Sequence, residues 1–170
     1  NAFLSAEDKT FWTHGGVDYT GLAGAVIDYV SKLGSDERAK GGSTITQQVA
    51  KNILIGDEYS VTRKLREMIL AGRIENVLDK QQILELYLNE IPLGRQSFGV
   101  QAAARAYFGK ELHQLTLGES ALIAGMMRAP NSYSPLLNPQ QARKRRDIVL
   151  VRMLELGKIS ESEAHRARQE

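Results

Sequence analysis

The sequence predicts an all-α fold. Apolar residues recur at three- and four-residue intervals along most of the 170 residues, and no alternating run bounded by turn signals indicates a strand. Several helix starts are marked by a Ser, Thr or Asp followed three residues later by Glu or Gln. With 42% hydrophobic and 25% charged residues, the chain has ordinary globular composition and enough length to bury a core.

The first predicted helix spans residues 22–33 on its apolar spacing, and Gly34 follows where a left-handed residue would end it. The polar segment 35–40 is predicted to be a mobile loop that can open over a site. Thr44 with Gln47 has capping-box spacing and predicts the start of the next helix. That helix would bury one apolar face, formed by Ile45, Val49 and Ile53.

A long helix is predicted between a turn at 56–58 and Asp79. Its apolar positions are Leu65, Met68, Ile69, Val77 and Leu78. Asp79 and Gln82 cap the next helix, which carries Ile83, Leu84, Tyr87 and Leu88 and is broken at Pro92 and Gly94.

Four further segments complete the second half of the chain. A small-residue helix is predicted from residue 99 to Gly109, and Thr116 with Glu119 starts an apolar helix that continues through Met127. Residues 128–135 form a turn-rich loop. Asn138 and Pro139 precede a basic helix, and Ser160 with Glu163 starts a last, frayed one.

Composition excludes several classes of function. The formal net charge of +2 is too small for a nucleic-acid field, and the absence of cysteine removes disulfides and thiolate chemistry. No apolar run is long enough to span a bilayer. Because the chain begins abruptly, without cap or leader, we expect it to be part of a longer protein that carries an anchor elsewhere.

Two acidic positions and a group of cations are candidates for glycosyl-transfer chemistry. Transfer to a sugar hydroxyl needs a base for its proton and positive charge to stabilise an anionic leaving group. Glu7-Asp8 supplies carboxylates, although an acidic helix turn would account for the pair alone. Arg63 and Glu67 lie one helical turn apart, which also fits a solvated ion pair.

Other polar residues have structural explanations beside functional ones. Thr44, Gln48 and Lys51 can share a helix face that offers donors to sugar and phosphate oxygens, or form a coincidental polar face. His14 by itself fits a structural hydrogen-bonding histidine better than a metal ligand, because the other histidines show no ligand spacing. The basic run 143–146 favours a solvated or membrane-facing surface.

Five motifs in order resemble those of the peptidoglycan glycosyltransferases. The first, Glu-Asp-x-x-Phe-x-x-His-x-Gly, is matched by Glu7, Asp8, Phe11, His14 and Gly16. The second, Gly-x-Ser-Thr-x-Thr-Gln-Gln, is matched from Gly41 to Gln48. Arg63-Lys64-x-x-Glu67 resembles the third motif, residues 83–89 the fourth and residues 94–110 the fifth.

The resemblance implies a lysozyme-like all-α fold with a large lobe and a small membrane-proximal jaw. It implies that Glu7 is the catalytic base, that Glu67 is the second essential glutamate, and that cations hold the donor diphosphate. Residues expected to contact substrate are Asp8, Phe11, His14, Ser43, Thr44, Gln48, Lys51, Arg63 and Lys64. No tightly bound cofactor is implied, and a divalent cation such as magnesium at the diphosphate stays an open alternative with unknown ligands.

The implied reaction polymerises lipid II into β-1,4 glycan strands, with inversion at the anomeric carbon and release of undecaprenyl diphosphate. The implied partners are lipid II, the growing glycan, the membrane surface and a phosphoglycolipid inhibitor. Nucleic acid is not among them. The implied location is the outer, periplasmic face of the bacterial cytoplasmic membrane, with anchoring by an N-terminal transmembrane helix absent from this fragment.

The resemblance also predicts the domain organisation. Residues 1–138 would form the glycosyltransferase domain, and residues 139–170 its C-terminal helical part, leading to a transpeptidase domain as in bifunctional penicillin-binding proteins. A lysozyme-like glycan hydrolase and a non-catalytic glycan- or lipid-binding module remain alternatives. A hydrolase has no use for three cations around a diphosphate, and a binding module has no need of Glu7.

Overall fold

The computed structural model describes residues 1–31, 41–55 and 61–170. Within these ranges the chain is helical and its β-type pairing is an isolated bridge between Pro92 and Phe98, so the all-α prediction is confirmed. The helices are α1 (Ala2–Glu7), α2 (Tyr19–Ser31), α3 (Ile45–Val49) followed by a π-helix (Ala50–Ile55), α4 (Val61–Val77), α5 (Lys80–Glu90), α6 (Val100–Phe108), α7 (Leu117–Met126), α8 (Pro139–Glu155) and α9 (Glu161–Gln169). None of the helices in the described ranges is long and apolar enough to cross a membrane.

The chain forms two compact units. Unit 1 comprises residues 1–9 and 88–170, and unit 2 comprises residues 10–87. Residues 139–170, which form α8 and α9, belong to the same unit as α1, and the predicted domain limit at residue 138 stays a prediction. The domain that was expected downstream stays a prediction.

Unit 1 is built around α8, which packs on α1, α7 and α9. Alanines on these helices allow close approach, and larger side chains from α8 fill the space between them. The buried cluster comprises Ala2, Ala6, Ala121, Ala124, Val149, Leu150, Met153 and Ala167. Burial of a side chain such as Leu150 contributes about 1.5–3 kcal/mol, so this cluster is what fixes the short helix α1.

A tight turn leads from α5 into α6. The N–H of Gly99 donates to the carbonyl of Ile91 at 2.8 Å, and Gly99 has a φ of +80°. A Cβ at this position would lie 2.3 Å from the carbonyl oxygen of Asn89, so only glycine fits. As predicted, α6 then ends at Gly109 in the left-handed conformation.

Unit 2 is organised by α3, the π-helix and α4, which pack on one another. The capping box is confirmed: Oγ1 of Thr44 accepts from the N–H of Gln47, whose side chain accepts from the N–H of Thr44. Ile45 and Val49 are buried as predicted, but Ile53 is exposed. That part of the prediction is wrong because the helix widens to π geometry from Ala50, which turns Ile53 off the α-helical face.

The long helix predicted before Asp79 is confirmed as α4, but most of its large apolar residues are not on the packed side. Leu65, Ile69 and Val77 are exposed, and the buried positions of the helix are instead Glu67 and Ala71. A small and a polar residue therefore form the packed side of α4, a pattern that hydrophobic spacing cannot reveal.

The remaining predictions about elements have mixed outcomes. The caps at Asp79, Thr116 and Ser160 are confirmed. Pro139 opens α8 as predicted, but the side chain of Asn138 makes no capping bond and donates instead to the carbonyl of Asn131. Gly34, the loop 35–40 and the turn 56–58 lie outside the described residues.

Candidate active site

Glu7 is the last residue of α1, in unit 1. Its Oε1 lies 3.5 Å from Nη2 of Arg145 on α8, and the side chains are 13% and 7% exposed. Asp8 follows as the buried C-cap of the helix. One turn of helix thus holds both predicted carboxylates in a largely buried setting next to a cation.

The prediction that the basic residues 143–146 form a solvated surface is wrong for two of the four. Arg143 and Lys144 are exposed, whereas Arg145 and Arg146 are buried because α8 turns them towards its neighbours in unit 1. Burial lowers the pKa of Arg145, and the charge of Glu7 acts in the opposite direction. Sequence reasoning missed Arg145 because a four-residue basic run looks uniform until the phase of the helix is known.

The second predicted glutamate lies in unit 2 and is paired with a lysine. Glu67 on α4 is buried, with 3% of its side chain exposed, and its carboxylate accepts from Nζ of Lys64. Lys64 also donates to Oγ of Ser43 at 2.7 Å. The structure therefore brings together three of the predicted residues: Ser43, Lys64 and Glu67.

The neighbouring cations occupy partly exposed positions in the same unit. Arg63 precedes Lys64 on α4, and Lys51 lies on the π-helix; both are half-buried. Gln48 is half-buried too, and its Oε1 accepts from the hydroxyl of Tyr87 at 3.4 Å. Unit 2 thus combines one buried carboxylate with cations that keep access to solvent, which suits a phosphorylated ligand.

Three residues predicted to contact substrate make well-defined contacts within unit 2, and their contact with substrate stays a prediction. Thr44 is buried, and its hydroxyl donates to the carbonyl of Gly16 at 2.6 Å while serving as the cap of α3. Phe11 is fully buried, edge-on to Trp12 and His14. The side chain of His14 is 6% exposed, and its Nδ1 accepts from the N–H of Gly16 at 3.1 Å.

A polar network that the sequence did not reveal supports this region of unit 2. Oε1 of Glu75 accepts from Thr46 at 2.6 Å and from Lys80 at 2.7 Å. Nζ of Lys80 also lies 3.4 Å from Nδ1 of His14 and 4.6 Å from the centre of the Phe11 ring. Glu75 and Lys80 had no sequence signal, since each resembles an ordinary charged residue of a helix.

The described residues do not form an acidic metal centre. No group of three or more His, Asp or Glu side chains with ligand geometry occurs among them, and the carboxylate of Glu67 is already bound to an ammonium group. These residues do not fit a metal held by the protein alone.

The family model and the relatives that match this chain agree with one another. A family model described as transglycosylase matches residues 1–154. Penicillin-binding protein 1A of Haemophilus influenzae is 49% identical over 163 residues, which are 96% of this chain and 19% of that protein. Penicillin-binding protein 1A of Aquifex aeolicus is 45% identical over 161 residues, 94% of this chain and 22% of that protein.

A Cupriavidus necator protein provisionally named a transglycosylase is 48% identical over 162 residues, 95% of this chain and 68% of that protein. The crystal structure of penicillin-binding protein 1A from Haemophilus influenzae matches with a TM-score of 0.53 and 50% identity, over 55% of this chain and 14% of that one. The chain spans about a fifth of the length of the penicillin-binding proteins it matches. Since the family model covers residues 1–154 of 170, this chain belongs to the transglycosylase family.

Proposed function

We propose that this domain polymerises the glycan strands of peptidoglycan. In the proposed reaction, the 4-hydroxyl of a lipid-linked disaccharide attacks the anomeric carbon of the lipid-linked growing chain. The new β-1,4 bond forms as the bond to undecaprenyl diphosphate breaks, with inversion at the anomeric carbon. Membership of the transglycosylase family supports this assignment.

Glu7 is the proposed general base. A sugar hydroxyl is a very weak acid, so its proton must be accepted as the new bond forms, and a positioned carboxylate can accept it. The position of Glu7 on α1 supports this role, because the helix is fixed by packing against α7 and α8. A base on a packed helix needs little reorganisation when the acceptor binds.

Lys64, Arg63 and Lys51 are the proposed ligands of the departing diphosphate. The observation that carries this part is the ammonium of Lys64, held between Ser43 and the buried carboxylate of Glu67. A prearranged cation stabilises negative charge that develops on a leaving group and pays no cost of reorganisation at that moment. Glu67 is thus proposed to set the place of Lys64, which explains a carboxylate among cations.

The substrate class and location follow as part of the same proposal. The substrate is lipid II and the growing glycan, at the outer face of the cytoplasmic membrane. A phosphoglycolipid with a similar anionic linkage is expected to occupy the diphosphate site. Exposed apolar side chains on α2, including Val26 and Ile27, support contact with a lipid surface.

To test this proposal, the protein in detergent micelles is incubated with one of two substrates. The first is labelled lipid-linked disaccharide, and the second is preformed glycan. We expect a polymer from the first substrate and no shortening of the second. Shortening of preformed glycan would establish a hydrolase instead. Binding of the lipid-linked substrate without any product, in wild type and in Glu7→Gln alike, would establish a binding module.

A further inference from the structure

The buried guanidinium of Arg145 lies next to the carboxylate of Glu7, with Nη2 3.5 Å from Oε1. We infer that Arg145 is a positioning residue, which keeps Glu7 ionised and its carboxylate in one orientation before substrate arrives. The inference rests on the proposed role of Glu7 as the base. It concerns unit 1 alone, since α1 and α8 both belong to it.

The guanidinium of Arg145 is itself fixed by its surroundings. Its Nε donates to the carbonyl of Gly125 on α7 at 3.4 Å, and its Cζ lies 5.9 Å from the centre of the Tyr133 ring. The stem passes over Gly125, where an added Cβ would lie 3.0 Å from Cγ of Arg145. Gly125 of α7 and the ring of Tyr133 therefore help to hold the cation in place beside the carboxylate.

A second arginine of α8 fixes the backbone beside Glu7. Nη1 of Arg152, two turns after Arg145, donates to the carbonyl of Ala6 at 2.6 Å. This carbonyl belongs to the last turn of α1, where a cation is favoured by the helix dipole. One helix thus holds Glu7 twice, at its side chain and at the preceding peptide group.

Electrostatics explains why the base needs this neighbour. Burial favours the neutral form of a carboxyl group, and a cation within about 4–6 Å favours the charged form that can accept a proton. The separation of 3.5 Å exceeds an ordinary N–H···O hydrogen bond, so the attraction is chiefly between charges.

Several other charged or ionisable groups of the described residues face this pair. Arg152 comes from α8 and Asp8 follows Glu7, while Arg128 and Tyr133 act on Arg145. The ionisable residue of α7, Glu119, is bound to Lys110 at 2.6 Å. Arg145 places its guanidinium 3.5 Å from the carboxylate, so its removal should affect the ionisation of Glu7.

The experiment measures kcat and KM against pH for Arg145→Gln, using the whole protein in detergent micelles with lipid-linked disaccharide. We expect kcat/KM at neutral pH to fall on the order of tenfold to a hundredfold, because a misplaced catalytic group commonly costs that much. The fall should come from kcat and not from KM. The acid limb of the profile should move to higher pH by about one unit, since an adjacent arginine shifts a carboxyl group by that much or more.

The matched control is Arg146→Gln. Arg146 is equally buried on the same helix, but it donates to the carbonyl of Arg168 at 2.8 Å and to Asp147. Its loss should lower thermal stability without moving the acid limb. An unmoved limb in folded Arg145→Gln, or the same shift in both variants, would overturn the inference.

A conservative pair covers the case in which Arg145→Gln does not fold. Arg145→Lys keeps a charge but loses the planar guanidinium, so it should lower kcat while the acid limb stays close to that of wild type. Arg146→Lys should leave kcat unchanged, and an equal loss of kcat in both lysine variants would overturn the inference. Near-normal polymer from Glu7→Gln would instead reject the proposed function itself, whatever the arginine variants do.

Discussion

Nζ of Lys64 donates to Oγ of Ser43 at 2.7 Å and so links α4 to the residue that precedes the cap of α3. The same ammonium binds the carboxylate of Glu67, which is buried on α4. A cation held by a hydroxyl and a carboxylate is fixed in position while part of its surface stays open to solvent. Lys64 is therefore a specific residue whose replacement should affect the reaction.

Lys64→Ala and Arg63→Ala should each lower the rate of glycan polymerisation, because each removes positive charge proposed to stabilise the diphosphate. Loss of one preorganised charge donor typically costs on the order of 10²–10³ in kcat. Arg66→Ala is the control, since Arg66 lies exposed on the same helix. Equal polymerisation rates for all three variants, with folding intact by circular dichroism, would contradict the proposal that Lys64 and Arg63 bind the diphosphate.

Glu7→Gln should fold normally, bind a phosphoglycolipid and form almost no glycan. The glutamine keeps the shape but cannot accept the acceptor's proton, and loss of a general base typically costs on the order of 10²–10⁴ in rate. His14→Gln should be less stable but keep its turnover per folded molecule, because Nδ1 of His14 is bound to the N–H of Gly16. Near-normal polymer from Glu7→Gln together with an inactive His14→Gln would give the role of base to the histidine.

Gly16→Ala should destabilise the protein by more than about 2 kcal/mol, since it combines backbone strain with a steric clash. Gly16 has a φ of +99°, and a Cβ there would lie 2.8 Å from the backbone carbon and oxygen of Ala71. Gly15→Ala is the matched control, because a Cβ at Gly15 meets no atom within 4 Å. Thermal unfolding measures the difference, and equal melting temperatures for the two variants would contradict this account.

Asp18 should make stability depend on pH between about 4 and 2. Its pKa is lowered from 3.8 to about 2 by the N–H of Gly21 and then by the hydroxyls of Thr20 and Thr10. Because the folded-state pKa is depressed, the contribution is complete above the unfolded value near 4 and is lost as the pH falls through 2. Solvent screening reduces it, so we expect about 1 kcal/mol, the usual effect of a helix cap.

Urea unfolding of Asp18→Ala at several pH values tests this effect. The difference from wild type should be largest above pH 4 and shrink towards pH 2. Asp18→Asn keeps the hydrogen-bond acceptor without the titration and is the control. A difference that stays constant over this pH range would show that the charge of Asp18 plays no part.

The segment 22–40 is predicted to be a mobile jaw that contacts the membrane surface. Its residues 32–40 lie outside the described ranges. On α2, the side chains of Val26 and Ile27 are 55% and 70% exposed. Hydrogen exchange across α2 should therefore slow in the presence of lipid micelles. Ile27→Asp should abolish this protection, whereas Phe98→Asp, at an exposed apolar position of unit 1, should keep it.

Local signals in the sequence predicted the helix limits well, and long-range packing did not follow from them. The Thr44, Thr116 and Ser160 caps could be predicted because a capping box lies within four residues. The exposed Leu65 and Ile69 could not, since the neighbour of α4 determines which face is buried.

In the candidate site, too, local sequence signals could be interpreted, whereas long-range contacts could not be predicted. The resemblance gave Glu67, Lys64, Thr44 and Phe11 alike as site residues, whereas the burial and contacts of Thr44 and Phe11 needed coordinates, because motif membership does not predict burial. Arg145 stayed hidden within its basic run, as the residue that it contacts is at the other end of the sequence.

The hydrogen bond from Arg152 to Ala6 joins positions 146 residues apart. On the ribosome, α1 emerges well before its partner α8. Until α8 is available, Ala2 and Ala6 lack part of the surface that buries them, and closing so long a loop is entropically costly and slow. We therefore expect the helix that bears the proposed base to become ordered late in biosynthesis, because a nascent chain that stops before residue 139 lacks both arginines of α8 that contact the last turn of α1.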